Sequence, residues 1–171
     1  ARNSYEKGLD RLLLIWQKIA LKHPDWILEI YGDGLKPLET LAEKLHIRST
    51  VNFNKPVANI EAKYREASLF VMTSRFEGFP MVLLEAMASG LPCVAYDCPV
   101  GLKAMVENGK NGFLVSEGKE NDFVKQLSAL MDDTLLRKQL GINAKESVAA
   151  YDLDIIMLQW NALFENIFKT V

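Results

Sequence analysis

Residues 68–95 decide the fold, and they read SLFVMTSRFEGFPMVLLEAMASGLPCVA. The short apolar run at 68–72 predicts a buried strand, and the stretch at 73–80 predicts a loop. Residues 81–89 predict a helix that Gly90 is suited to end, and residues 92–95 predict a second strand. Two strands joined through a helix are typical of a parallel sheet, because a tight hairpin joins only antiparallel strands.

The same alternation of strand and helix extends in both directions from this unit. Helices are predicted before it at about 6–22, 36–45 and 60–66, and strands at 26–31 and 51–53. After it we predict a helix at 102–107, a strand at 113–115 and helices at about 120–131, 135–150 and 153–168, the last two capped by Thr134 and Asp152. Residues 1–171 are therefore predicted to form a single α/β domain, a Rossmann-like parallel sheet with helices on both faces.

The composition excludes several classes of function. Twenty basic and 22 acidic residues give a net charge of −2, so no global positive field favours nucleic acid or an anionic membrane surface. No apolar run approaches the ~20 residues of a membrane span. Two cysteines, Cys93 and Cys98, and two histidines, His23 and His46, are too few for a disulfide framework or a zinc site. Reduced thiols and a cytoplasmic protein are therefore expected.

The loop and helix start at 77–85 form the candidate site. In an open parallel sheet, ligands bind outside the carboxyl ends of the strands, where this loop lies. Glu77 lies in the loop, Glu85 lies one turn inside the helix, and Gly78 lets the backbone approach a ligand. The unpaired N–H groups that favour an anion at a helix start would be those of Phe79, Met81 and Val82. We therefore predict a phosphate at the helix start and sugar hydroxyls on the two carboxylates.

A pair of solvated acids beside a helix is the alternative interpretation of Glu77 and Glu85. Burial of the neighbouring apolar side chains would instead hold both acids at a structured rim, and these neighbours are Phe79, Met81, Val82, Leu84 and Met87. The stretch at 32–34 lacks the third glycine of a dinucleotide fingerprint and predicts a tight turn. The acidic pair Asp152 and Asp154 precedes an amphipathic helix, which favours a helix cap over a metal site.

Several further motifs occur in order around Glu77 and Glu85, which are separated by seven residues. They are Arg2, Lys7-Gly8-Leu9-Asp10 and the stretches 30–34, 67–74, 90–94 and 108–115. Together they resemble the carboxyl-terminal half of the GT-B, family 4 retaining glycosyltransferases (glycosyl transferases group 1), over nearly the whole chain. The resemblance implies a nucleotide-sugar-binding domain without its amino-terminal acceptor domain. The first residues carry no initiator Met or leader, which also indicates a fragment.

The resemblance implies a role for each charged residue. Arg2 and Lys7 would hold the donor diphosphate, Glu77 would face the transferred sugar, and Glu85 would face the ribose diol. Without the resemblance, Arg2 and Lys7 would be ordinary surface charges near a chain end. Two cations and a helix start can neutralise the charge that grows on the leaving diphosphate, so no metal or other cofactor is expected.

The resemblance also implies the class of substrates. The nucleobase would lie near Lys55 and Val57, although the family often has glycine at the position of Lys55. The donor would be a UDP-, GDP- or similar sugar, transferred with retention to a glycan or lipid-linked acceptor that the absent domain recognises. Such reactions belong to cell-envelope polysaccharide synthesis, with the full-length protein in the cytoplasm or peripheral at the inner membrane face.

Two other function classes remain open. A nicotinamide-dependent oxidoreductase would need a glycine fingerprint after a strand and an acid ~20 residues later, a pattern absent from this sequence. A noncatalytic binding or scaffold module would need neither Glu77 nor Glu85. Separately, apolar residues nearly encircle the helix predicted at 153–168, which indicates an exposed patch and a homodimer of the fragment.

Overall fold

The computed structural model describes residues 3–99 and 101–169. The strands are β1 (Leu28–Tyr31), β2 (Val51–Asn54), β3 (Phe70–Met72), β4 (Cys93–Asp97) and β5 (Gly112–Ser116). The helices are α1 (Leu9–Ala20), α2 (Lys36–Lys44), α3 (Ile60–Glu66), α4 (Met81–Ala88), α5 (Leu102–Met105), α6 (Glu120–Asp132), α7 (Thr134–Ser147) and α8 (Leu153–Lys169). Short 3-10 helices occur at Tyr5–Lys7, Arg48–Thr50 and Val148–Tyr151. The predicted alternation of strands and helices is confirmed.

The strands of the described residues form two parallel sheets. β1 pairs with β2, with Leu28 opposite Val51. β4 lies between β3 and β5, with Val94 opposite both Val71 and Phe113. The α/β class and the parallel sense are confirmed, but the one sheet that we predicted is divided, because β1 and β3 do not pair with each other. Hydrophobic spacing predicts strands and does not specify which edges pair.

A common hydrophobic core joins the two sheets. Ile30 of β1 and Val94 of β4 belong to the same cluster of buried side chains, together with the apolar face of α1 around Trp16. The apolar spacing predicted from the sequence supplies this face of α1. A second cluster lies under α4 and α7, where the helices approach so closely that a Cβ on Gly141 would lie 2.3 Å from the carbonyl oxygen of Gly90.

Several predicted helix boundaries differ from the structure. Gly8 has a left-handed backbone with φ of 62°, so α1 begins at Leu9 and the residues before it form a 3-10 turn. The predicted cap Thr134 is instead the first residue of α7, and Asp133 caps the helix by accepting a hydrogen bond from Leu136 N at 2.9 Å. α7 ends at Ser147 rather than near 150 and continues as a 3-10 turn.

α8 leaves much of its apolar surface exposed. The exposed large side chains are Leu153, Ile155, Met157, Leu158, Trp160, Leu163, Phe164, Ile167 and Phe168. The rings of Trp160 and Phe164 contact each other, with centroids 5.6 Å apart. Within residues 3–99 and 101–169, no helix is long and apolar enough to cross a membrane.

We expect the 171-residue chain to self-associate through α8 as its concentration rises, because a monomer rarely exposes so large a contiguous apolar patch. Changing Phe164 and Phe168 to serine should shift the mass measured by analytical ultracentrifugation toward the monomer. The matched control changes Leu21 and Leu135, which are 87% and 77% exposed and lie outside α8. A chain that stays monomeric at high concentration would contradict this expectation.

Candidate functional site

The residues before α1 lie across the carboxyl ends of the strands. Asn3 N donates to Asp33 O at 3.2 Å, just after β1. Arg75 N, in the loop after β3, donates to Glu6 O at 2.7 Å. Because these bonds hold the segment near the ends of both strands, Lys7 lies beside the loop after β3.

Gly8 allows α1 to begin in contact with that loop. Its φ is 62°, and a Cβ at this position would lie 2.1 Å from the carbonyl oxygen of Thr73. Thr73 Oγ1 in turn donates to Gly8 O at 2.9 Å. Any larger residue here would displace the start of α1, and Lys7 with it.

Glu77 is a buried carboxylate that contacts two polar side chains of the described residues. It is 8% exposed, and Lys7 Nζ lies 2.8 Å from its Oε1 and 3.0 Å from its Oε2. Ser74 Oγ donates to Oε1 at 2.6 Å. A carboxylate removed from water needs such partners, and these two donors hold its side chain in one orientation.

Arg11 holds the same loop through hydrogen bonds to its backbone. The sequence did not predict this role. Its Nε and Nη2 donate to Thr73 O and Ser74 O at 2.5 and 2.6 Å. The guanidinium also pairs with Glu117 and lies 4.5 Å from the centre of the Tyr96 ring. Arg11 lies in the first turn of α1, three residues after Gly8, and this position was the sequence signal that could have indicated its role.

The start of α4 differs from the sequence-based expectation. Met81 N is not free, because it donates to Phe79 O at 3.0 Å. Among residues 3–99 and 101–169, the N–H groups of Phe79 and Val82 have no protein partner, so they can still favour an anion. Gly78 leaves open space where a Cβ would lie, and its carbonyl would be 2.7 Å from a Cβ on Gly101, which brings the loop after β4 against this one.

The expected burial around the carboxylates is partly wrong. Phe79, Met81 and Val82 are 49%, 57% and 40% exposed, whereas Met87 is buried and Leu84 is half-buried. The physical reason is that α4 buries its other face, and the first turn therefore projects over the open edge. The apolar side chains nearest the predicted phosphate are available to a ligand.

Glu85 lies on α4 and is half-buried. Tyr64 of α3 donates its hydroxyl proton to Glu85 Oε2 at 3.3 Å. Lys55 and Val57, predicted to contact the base, are exposed in the loop between β2 and α3. Glu77 and Glu85 thus lie on one loop and the helix that follows it. The loop with Lys55 and Val57 leads into the neighbouring helix α3.

A cavity of about 540 Å³ opens at the carboxyl ends of β4 and β5. Its lining residues are Tyr5, Arg75, Asp97, Cys98, Pro99, Gly101, Lys103 and Glu117. Arg75 binds both carboxylate oxygens of Asp10 at 2.8 and 2.7 Å and thereby lowers the pKa of that carboxyl. Lys103 pairs with Asp97 at 3.0 Å. The cavity is therefore polar and carries charges of both signs.

The remaining sequence candidates lie outside this arrangement. Arg2 lies outside the described residues. Burial raises the pKa of the Cys93 thiol to about 12, and burial followed by the charge of nearby Glu77 raises that of Cys98, so both thiols stay protonated. Asp152 directly precedes α8, and its backbone carbonyl accepts a hydrogen bond from Ile156 N at 3.0 Å. The part of the chain that the structure describes holds no group of three His, Cys, Asp or Glu suited to a metal ion.

Comparison with known proteins identifies the family. The model of the family described as "Glycosyl transferases group 1" matches residues 1–147. The amylovoran biosynthesis glycosyltransferase AmsD of Erwinia amylovora is 34% identical over 162 residues, which cover 94% of this chain and 45% of that protein. The chain thus spans less than half the length of the first curated relatives it matches.

Solved structures of glycosyltransferases share the fold of this chain. The carboxyl-terminal domain of the group 1 glycosyl transferase LpcC from Francisella tularensis superposes with a TM-score of 0.79 at 25% identity, covering 89% of this chain and 83% of that one. TarM from S. aureus, crystallised with UDP, superposes with a TM-score of 0.90 at 25% identity, covering 96% of this chain and 34% of that one. The chain therefore belongs to the group 1 glycosyltransferases, and it corresponds to the carboxyl-terminal domain of their GT-B fold.

Proposed function

We propose that this chain is the donor-binding domain of a retaining glycosyltransferase and holds a nucleoside-diphosphate sugar at the carboxyl edge of β3 and β4. The observation that carries the proposal is the buried Glu77 carboxylate, paired with Lys7 at 2.8 Å beside the start of α4. Buried charges cost free energy, and charged groups gathered at strand ends are typical of functional sites. The UDP bound by TarM supports a UDP-sugar donor, and a GDP-sugar or similar donor is the alternative.

The diphosphate would lie between Lys7 and the first turn of α4. An ammonium group has three donors, and two of those of Lys7 are directed at Glu77, which leaves one for a phosphate oxygen. The backbone N–H groups of Phe79 and Val82 add donors at the positive end of the helix dipole. Arg2 would supply a second cation, as the resemblance implies.

Glu77 would face the transferred sugar in this arrangement. As the glycosidic bond breaks, negative charge grows on the diphosphate and positive charge grows on the sugar ring. Lys7 and the start of α4 would stabilise the negative charge on the diphosphate. The Glu77 carboxylate, held by Ser74 and Lys7, would stabilise the positive charge on the sugar ring. Stabilisation by these groups requires no metal ion, so we propose a metal-independent reaction.

The acceptor would be bound by a further domain of a longer protein. The acceptor class that we propose is a growing glycan or a glycolipid, and the amylovoran relative supports a role in polysaccharide synthesis. Lys55 and Val57 would contact the base from the loop after β2, and Glu85 would accept hydrogen bonds from the ribose. A cytoplasmic location is consistent with the buried, free thiols of Cys93 and Cys98.

We expect the chain to bind a nucleoside diphosphate with equal affinity in the presence and absence of EDTA. UDP, GDP, ADP and CMP can be compared by thermal unfolding, where a ligand at ~100 times its Kd adds about 2.7 kcal/mol to the free energy of unfolding. Replacing Glu85 by alanine should weaken binding by about 1 to 3 kcal/mol, because the ribose hydroxyls lose their acceptor.

The control for this experiment is Glu61→Ala, which removes an exposed carboxylate that pairs with Arg65 on the surface of α3. Its affinity should match that of the unaltered chain. Loss of binding on chelation would exclude the metal-independent arrangement. If none of the nucleotides binds, the proposed donor site is wrong.

A further inference from the structure

We infer that Tyr64 is a positioning residue for Glu85, and that the pair sets the preference of this site for a ribose over a sugar without hydroxyls. This inference rests on the proposed function, since it takes Glu85 as the acceptor for the ribose. It adds a residue from α3 that neither the sequence motifs nor the resemblance assigns.

Tyr64 is held rigidly where it meets Glu85. Its ring is buried with Ala86 and Leu91, and the residue as a whole is 9% exposed. The ring of Phe70 meets it edge to face, with centroids 6.0 Å apart and planes at 82°. Packing on these sides leaves the hydroxyl directed at Glu85 Oε2, 3.3 Å away.

The hydroxyl of Tyr64 acts as a donor over the whole useful pH range. Burial, followed by the negative charge of Glu85, raises the pKa of Tyr64 to about 12. The proton therefore stays on the phenol oxygen and points toward the carboxylate. Oε2 is thus partly occupied, whereas Oε1 accepts no hydrogen bond from a side chain among residues 3–99 and 101–169.

A glutamate side chain without such a contact has several rotamers, and restricting it to one on binding costs conformational entropy. Glu77 is restricted by two donors, Lys7 and Ser74, but the Tyr64 hydroxyl is the one side-chain donor recorded for Glu85 in the described chain. Ordering the carboxylate before the ligand arrives reduces the entropic cost of forming the ribose hydrogen bonds. Removing the hydroxyl should therefore weaken the binding of ribose and leave the remaining contacts unchanged.

The test measures Kd by calorimetry for UDP, GDP and ADP, each beside its 2′,3′-dideoxy form, on the chain and on Tyr64→Phe. Phenylalanine keeps the ring, so the packing is preserved. For the ribonucleotide that binds, we expect Tyr64→Phe to raise the Kd by about two- to tenfold. The Kd of its dideoxy form should not change. In a Glu85→Ala background the same change should have no effect on either ligand.

Tyr151→Phe is the matched control, because it also removes one phenol hydrogen bond, the one donated to Ala104 O at 2.8 Å, and keeps its ring. It should not alter the ratio of the two affinities. A normal ribonucleotide preference in Tyr64→Phe, or an equal loss in Tyr151→Phe, overturns the role of Tyr64 and leaves the donor site intact. If the unaltered chain binds no ribonucleotide, the proposed donor site is wrong, and the role of Tyr64 falls with it.

Discussion

The isolated 171-residue chain is expected to bind a nucleoside diphosphate and to transfer no sugar. In a GT-B enzyme the reaction takes place between two domains, and the positioning of donor against acceptor contributes ~7 to 11 kcal/mol of barrier reduction. The chain covers 45% of the length of its amylovoran relative, so most of such a protein lies outside it. If a further domain binds the acceptor, as we propose, this chain would hold the donor without an oriented nucleophile.

The measurement compares this chain with a longer protein in which it is joined to the proposed acceptor-binding domain, using one labelled donor and one acceptor fraction. The separate chain should show a rate at least about 10⁵-fold lower, as the positioning contribution implies. Equal binding of the nucleoside diphosphate by the two proteins is the control that the donor site is intact. Efficient transfer by the isolated chain would show that residues 1–171 contain a complete catalytic site.

Replacing Glu77 by glutamine, in a protein that also carries the proposed acceptor-binding domain, is expected to lower turnover by about 10²- to 10³-fold. The amide retains the shape of the side chain but not the charge that would stabilise the sugar ring as the bond breaks. In this variant Lys7 no longer pairs with an anion that competes with the diphosphate, so the Kd of UDP or GDP should not increase.

Glu107→Gln is the matched control for this variant, because it removes a carboxylate that is exposed and paired with Lys110 away from the site. Its turnover should equal that of the unaltered protein. Steady-state kinetics and nucleotide binding have to be measured on both variants. A normal turnover in Glu77→Gln, or a loss that appears entirely in nucleotide affinity, would exclude the proposed role of Glu77.

The sequence predicted most of the local structure. The helix expected at 60–66 is α3 (Ile60–Glu66), and that expected at 81–89 is α4 (Met81–Ala88). These predictions succeeded because apolar spacing and end signals act within one or two turns of a helix. The start of α1 was missed because the sequence pattern continues through Gly8, whose left-handed backbone is required by its contact with Thr73.

Exposure around the site was harder to predict than the elements that form it. Phe79, Met81 and Val82 are apolar, yet they project from α4 because that helix buries its opposite face. The cap of α7 was placed one residue too late because Asp133 and Thr134 are both suitable cap residues. Local propensity does not distinguish such alternatives, and packing against neighbouring elements does.

The sequence by itself determined which elements form, the parallel α/β class and the loop that carries Glu77. Only the tertiary structure decided which side chains meet there. Lys7 and Glu77 are 70 residues apart, Arg11 and Thr73 are 62 apart, and Tyr64 and Glu85 are 21 apart. Helix and strand patterns arise from neighbours along the chain, whereas these contacts depend on how α1 and α3 pack against the ends of the strands and against α4, which spacing along the sequence does not encode.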